Sequence, residues 1–311
     1  MSKKAFVTGC SGFIGSHLSE ALVDLGWEVI GVDCFNDNYS RNIKEANMKF
    51  LLLQPSFRFI SDDLMNIQLN SYLEDIDFIF HQAGQPGVRG SWGSQFDTYV
   101  TNNILVTQRL LESAKKHNIK KFVYASSSSV YGNTKKFPTS ELHLPKPFSP
   151  YGLTKLAAEN LCGLYYENYG VPVVSLRYFT VFGPRQRPDM AISQFINLIN
   201  EGDTLDIYGD GKQKRDFTYV EDIVRANILA ANSKVEGEVF NVGSGNPVEL
   251  IEVINSLEKK IGKKAKLNYI NKQKGDVRDT YADSSKIEEM LGFRPLVDLE
   301  TGLEKQVEYM Y

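Results

Sequence analysis

Three glycines at fixed spacing, Gly9-x-x-Gly12-x-x-Gly15, stand between an apolar run over residues 4–8 and a stretch of helical spacing over 13–25 that Gly26 ends. A buried strand, a tight turn and a helix account for this order. The glycines meet three needs of such a junction: the turn itself, close approach of backbone to a bound group, and close packing of helix on sheet. The start of the helix offers unpaired N–H groups, which suit a pyrophosphate. A bare glycine pattern says little; its place between strand and helix gives it weight.

The alternation continues. Residues 28–33, 57–61, 78–82, 121–126 and 173–177 read as strands, and 98–117 and 150–169 as helices. Strands alternating with helices predict an α/β chain with a Rossmann-like, doubly wound parallel sheet and ligands at the carboxyl ends of its strands. After Gly183-Pro184 the rhythm changes. Helices are expected over 191–200 and 220–232, a strand at 205–208 before the turn Gly209-Asp210-Gly211, and two short helices at the end. We expect residues 1–178 to form a dinucleotide-binding domain. Residues 179–311 should form mainly a smaller substrate-binding lobe, with an interleaved boundary, since no linker-like stretch separates them.

A net charge of −3 in 311 residues argues against a nucleic-acid or anionic-membrane surface. No apolar run reaches the roughly 20 residues a membrane span needs. Met1-Ser2-Lys3-Lys4 leads into a strand without a signal-peptide core. Cys10, Cys34 and Cys162 are widely spaced and fit a reducing cytoplasm. Neither they nor the four histidines show ligand spacing, so no metal is expected.

Asp33 closes the second strand, where a carboxylate can bond both ribose hydroxyls and repel a 2′-phosphate; this favours NAD over NADP. Asp63-Leu64, after the third strand, can reach an adenine, although an N-cap role also explains Asp63. Tyr151 and Lys155, at i and i+4, share a helix face. In isolation this spacing also describes a surface pair with the ring on the core. A phenol has a pKa of about 10, and a nearby ammonium favours its ionised form. Beside a dinucleotide site, the pair suits proton transfer at a sugar hydroxyl.

With these motifs in place, the whole chain resembles the extended short-chain dehydrogenase/reductase family, in its nucleotide-sugar epimerase/dehydratase branch. The glycine motif after Thr8, Ser126-Ser127-Ser128-Ser129-Val130-Tyr131-Gly132, Tyr151-x-x-x-Lys155, Arg177-Tyr178-Phe179-Thr180-Val181-Phe182-Gly183-Pro184, and Gly209-Asp210-Gly211 with Arg215-Asp216-Phe217-x-Tyr219-Val220-x-Asp222 fall in family order. The resemblance implies NAD against Gly9, Gly12, Phe13, Ile14, Gly15, Asp33, Asp63, Leu64, Gln82, Ala83, Asn103, Ser126, Tyr151, Lys155, Tyr178, Thr180 and Val181. It implies Tyr151 as base at the sugar O4, Lys155 on the nicotinamide ribose, and Ser127 as proton relay. It also implies a UDP-sugar against Arg89, Ser127, Ser128, Ser129, Tyr151, Thr180, Arg187, Tyr208, Arg215 and Arg278, with Tyr208 on the uracil and Arg215 and Arg278 at the phosphates and ribose. Family members commonly form homodimers through a four-helix bundle, here from 98–117 and 151–169; the same apolar spacing also fits packing on the parent sheet.

Ser128 and Ser129 separate the branches. Sugar 4,6-dehydratases place Asp-Glu there, and glucuronate decarboxylases place Glu before the Val. This chain has only hydroxyls and no titratable group. The segments 33–39 and 42–46, Thr180 where hexose epimerases carry Asn, and Arg187-Pro188-Asp189-Met190 resemble the glucuronate 4-epimerases. A hydroxyl and a guanidinium near the sugar C6 suit a carboxylate. Held out of alignment with the 4-keto π system, that carboxylate resists loss as CO₂. A loop cation facing phosphate or solvent is the plainer reading of Arg187. Gln82 in His81-Gln82-Ala83-Gly84 departs from the usual His-Leu-Ala-Ala. The leading expectation is an NAD-dependent UDP-glucuronate 4-epimerase. Behind it stand a UDP-glucose or UDP-N-acetylglucosamine 4-epimerase, a decarboxylase, and a non-catalytic NAD(H)-binding regulator.

Overall fold

The computed structural model describes residues 2–311. The first part of the chain runs β1 (Lys4–Thr8), α1 (Phe13–Asp24), β2 (Glu28–Asp33), α2 (Arg41–Met48), β3 (Phe57–Ser61), α3 (Leu69–Leu73) and β4 (Phe78–His81). There follow α4 (Phe96–Tyr99), a π-helical turn (Val100–Leu105), α5 (Val106–Ala114), β5 (Lys121–Ser127), α6 (Pro150–Tyr169) and β6 (Val173–Tyr178). The remainder comprises β7 (Thr180–Phe182), α7 (Ala191–Glu201), β8 (Thr204–Tyr208), β9 (Lys214–Tyr219), α8 (Val220–Asn232) and β10 (Glu238–Val242). It closes with β11 (Pro247–Glu249), α9 (Leu250–Ile261), β12 (Lys266–Ile270), α10 (Ser285–Leu291) and α11 (Leu299–Met310).

Seven strands form one parallel sheet in the order β10-β6-β5-β4-β1-β2-β3. Successive side chains of a strand point to opposite faces, and both faces here are covered. Ala5, Val7, Phe78, Phe80, Val123 and Ala125 join one core with Leu18, Leu22 and Val224 of the helices above. Phe6, Ile79, Phe122 and Tyr124, one residue out of step, join a second core with Leu110, Leu111 and Ala158 below. Continuous apolar runs such as Phe78-Ile79-Phe80 are what a doubly covered parallel sheet requires.

The expected helix over 98–117 is three pieces. It begins at Phe96, passes through the π turn, and ends at Ala114, beyond which Lys115 and Lys116 close it with turn hydrogen bonds. In contrast, α6 keeps its expected span. Ser149 accepts the Gly152 N–H at 3.1 Å, Pro150 occupies the first turn, and Gly170 ends the helix at φ 68°.

The later part of the chain builds two small sheets, β11-β9-β7 and β12-β8. It also returns to the large one. β10 pairs with β6, placing Asn241 beside Arg177, and so crosses the division expected near residue 178.

Candidate active site

The sheet's chain order reverses between β1 and β4, and the crevice at the carboxyl ends of such strands is the expected ligand site. A cavity opens there. Gly9 turns the chain at φ 70°, and a Cβ on it would stand 2.9 Å from the Ala83 backbone. A Cβ on Gly15 would lie 2.0 Å from the Gly9 carbonyl oxygen. Side chains are thereby excluded, and the start of α1, where Gly12 provides no side-chain cap, faces the cavity. Asp33 accepts N–H bonds from Ser11 at 3.2 Å and Phe35 at 2.8 Å, fixing its carboxylate beside the cradle. Bare backbone donors at a helix start and a carboxylate at the next strand end fit a dinucleotide.

Tyr151 and Lys155 reach this cavity from the first turns of α6. Lys155 is buried, with its ammonium 4.5 Å from the Tyr124 ring centroid. Burial lowers its pKa to about 8. Burial holds the Tyr151 phenol above its ordinary value, and Ser127 and Arg187 partly offset this. Ser127 ends β5, and its Oγ accepts the Ser129 N–H at 3.1 Å. The Ser127 hydroxyl proton remains available to donate.

Two buried hydrogen-bond networks hold these groups. Asn103, in the π turn, accepts the Gln85 N–H at 2.7 Å and donates to Gln85 O at 3.1 Å and Thr154 Oγ1 at 2.9 Å. Thr107 donates to Asn103 O at 2.6 Å and contacts His81 at 2.9 Å, and His81 meets Thr8 at 2.8 Å. The glycine loop and the residue before Lys155 are thus joined. Burial lowers the His81 pKa to about 3, so its ring is neutral. In the second network Glu159 takes the Ser126 hydroxyl and a bidentate Arg177, which also donates to Tyr131 at 2.7 Å.

The cavity wall gathers Gly9, Gly12, Phe13, Ile14, Gly15, Asp33, Asp63, Leu64, Gln82, Ala83, Asn103, Ser126, Tyr151, Lys155, Tyr178 and Arg187. Ser127, Ser128 and Ser129 follow Ser126 at the end of β5 and in the 3₁₀ turn after it, and are not part of the wall. Thr180 opens β7 and Val181 is buried in the core; neither is part of the wall. The remaining residues form a second cluster. The Arg89 guanidinium stacks 4.0 Å from the Tyr208 ring centroid and pairs with Asp276 at 2.8 Å. Arg215 donates to the Val277 and Arg278 carbonyls at 2.8 and 2.6 Å, and Arg278 pairs with Asp210 at 3.2 Å. Gln82 is tied into the fold: its amide donates to Asn227 at 2.9 Å and accepts from Tyr178 at 3.1 Å.

Asn36, Asn38, Tyr39, Lys44 and Gln85 also line the wall and were not anticipated individually. Lys44 is 3% exposed and donates to Asn36 O at 2.6 Å and Oδ1 at 2.5 Å. A lysine on a polar helix carries no mark of such burial. The family likeness over 33–46 was the one available signal.

A doubly wound sheet, a dinucleotide cradle and a tyrosine–lysine pair on the adjoining helix define an enzyme of the Rossmann dehydrogenase type. The chain belongs to the NAD dependent epimerase/dehydratase family, whose sequence profile matches residues 5–243. It is 43% identical to an uncharacterized UDP-glucose epimerase, YtcB, of Bacillus subtilis, over 99% of this chain and 98% of the other. It is 41% identical to a UDP-glucuronate 4-epimerase of Thermodesulfobacterium geofontis, over 97% and 94%. Its fold matches a Bacillus cereus UDP-glucuronic acid 4-epimerase crystallised with UDP-glucuronic acid and NAD, with TM-score 0.96, 45% identity, and 99% and 98% coverage.

Proposed function

We propose that the chain is an NAD-dependent 4-epimerase that interconverts UDP-glucuronate and UDP-galacturonate through a 4-keto sugar. The observation that carries this is the meeting of Tyr151, Lys155 and Arg187 in the wall of the dinucleotide cavity. NAD, when bound, takes the C4 hydride and returns it to the other face of the sugar ring.

The chain's own groups handle the proton and the carboxylate. Tyr151 accepts the O4 proton, with Ser127 donating to the same oxygens and relaying it. The Lys155 ammonium orients the nicotinamide ribose and favours the phenolate against the burial that opposes it. Arg187 holds the C6 carboxylate. Ser128 and Ser129 hold the sugar without a titratable group to drive elimination or decarboxylation.

The chain has no helix, among its described residues, long and apolar enough to cross a membrane. We place the enzyme in the cytoplasm as a homodimer. Leu105, Leu153 and Leu164 are 44%, 52% and 57% exposed along the helices that would pair, which supports a four-helix bundle between two copies. One observation favours a UDP-glucose reading: Arg187 is already neutralised by Asp189, so a neutral sugar would leave no unpaired charge.

The test is incubation of the purified protein, without added NAD, with UDP-glucuronate, UDP-glucose and UDP-N-acetylglucosamine, followed by separation of the C4 epimers and measurement of CO₂. Conversion of UDP-glucuronate at the highest kcat/KM, without CO₂, is expected. Preference for a neutral sugar would remove the carboxylate assignment, and a UDP-pentose product would overturn the reaction type.

A further inference from the structure

Arg187 meets Asp189 edge to edge, Nε to Oδ1 at 2.9 Å and Nη2 to Oδ2 at 2.9 Å. This is the fork geometry by which a guanidinium grips any carboxylate. That edge of Arg187 therefore holds one carboxylate at a time. The partners are unequally placed: the Arg187 side chain is 19% exposed and lines the cavity, whereas Asp189 is 52% exposed. Once another carboxylate takes its place, Asp189 can turn into water, whereas Arg187 stays beside the site.

The backbone around the pair is fixed. Gln186 donates to Val181 O at 2.9 Å and accepts from the Ser193 N–H at 3.1 Å and the Gln306 amide at 3.0 Å. Arg185, at φ 63°, is tied to Glu20 of α1 at 2.9 Å. Exchange of carboxylates on Arg187 is thereby confined to side chains. On the same wall, the Tyr39 hydroxyl is buried and has no hydrogen-bond partner among the described residues. It is an unused donor near the guanidinium, and an incoming acceptor would satisfy it.

We propose that Asp189 is a specificity-determining residue, a resident carboxylate that occupies Arg187 until the carboxylate of a uronate sugar replaces it. The proposal rests on the assignment of Arg187 to the sugar C6 group. With a neutral hexose no exchange occurs, and Arg187 remains paired. Asp189 thus narrows the difference between charged and neutral sugars, because every uronate must displace it first.

The test measures kcat and KM for UDP-glucuronate and UDP-glucose with wild type, Asp189→Asn, Asp189→Glu and Arg187→Leu. The Kd of each sugar nucleotide is measured in the Tyr151→Phe background. Asp189→Asn should lower the UDP-glucuronate Kd about fivefold, which is ~1 kcal/mol at 1.4 kcal/mol per tenfold. Its kcat/KM ratio of glucuronate to glucose should rise by at least as much, and Asp189→Glu should return it toward wild type. An unchanged or lowered ratio in Asp189→Asn, with Arg187→Leu still damaging glucuronate selectively, overturns the exchange alone. Equal losses on both sugars in Arg187→Leu overturn the carboxylate assignment and the exchange with it.

Discussion

Arg177 and Glu159 meet in a buried bidentate pair, with side chains only 6% and 4% exposed. Glu159 lies one helical turn beyond Lys155, and Arg177 lies on β6. The pair, with Ser126 bonded to the same carboxylate, locks the catalytic helix to two strands of the sheet. Replacing one member leaves the other charge buried alone, at about 3–5 kcal/mol. Glu159→Gln should destabilise by that amount in urea denaturation. A loss under ~1 kcal/mol would mean that water reaches Arg177.

Lys155 gives a pH signature. Its folded pKa, lowered to about 8 by burial, lies below the ordinary lysine value of about 10.4. The folded state therefore binds fewer protons than the unfolded one between these values, and stability rises with pH across that window. Below pH 8 the full penalty applies, roughly 3 kcal/mol. With dinucleotide removed, Lys155→Met should be more stable than wild type at pH 7. That advantage should shrink between about pH 8 and pH 10.4, as thermal melts at several pH values would reveal.

Gly15→Ala tests the cradle. The added carbon would sit 2.0 Å from the Gly9 carbonyl oxygen, so the loop must move. The variant should retain its far-ultraviolet circular dichroism and lose NAD on purification. Retention of NAD at wild-type occupancy would show that the backbone does not approach the pyrophosphate.

Asn103→Leu removes three hydrogen bonds that fix the Gln85 backbone and Thr154. Misplacing a catalytic group by about 1 Å can cost on the order of 100-fold in rate. We expect kcat to fall by 10- to 100-fold while KM for the sugar nucleotide changes little. A rise in KM alone would place Asn103 at the substrate instead.

The strand–glycine–helix start, the capped helix of Tyr151 and Lys155, and Asp33 were legible because each is encoded locally, by periodicity, caps and spacing. The π turn was not, since the weak helix formers of Val100 to Leu105 do not distinguish a π turn from an α-helix or a break, and the side-chain bonds of Asn103 reach positions 18 and 51 residues away. Likewise, nothing near Arg177 indicates that its strand takes β10 as a neighbour. β7 and β11 have three residues each, too short for an alternation to register. Arg89 was expected at the substrate from its place after the fourth strand, and Tyr208, Arg215 and Arg278 from the family likeness; the four lie near one another. Their mutual contacts and the pairing with Asp276 depend on a loop whose path the sequence leaves open.

The return of β10 to β6 also sets a timetable for synthesis. When Tyr178 leaves the ribosome, β6 is an open sheet edge, and it stays open until Val242 emerges. At about 5–20 residues per second that interval lasts roughly 3–13 s. An unpaired edge is a template for other chains. The nascent protein must therefore pass through a window of several seconds in which its largest sheet invites pairing with its neighbours, and a fragment ending at 178 would never leave it.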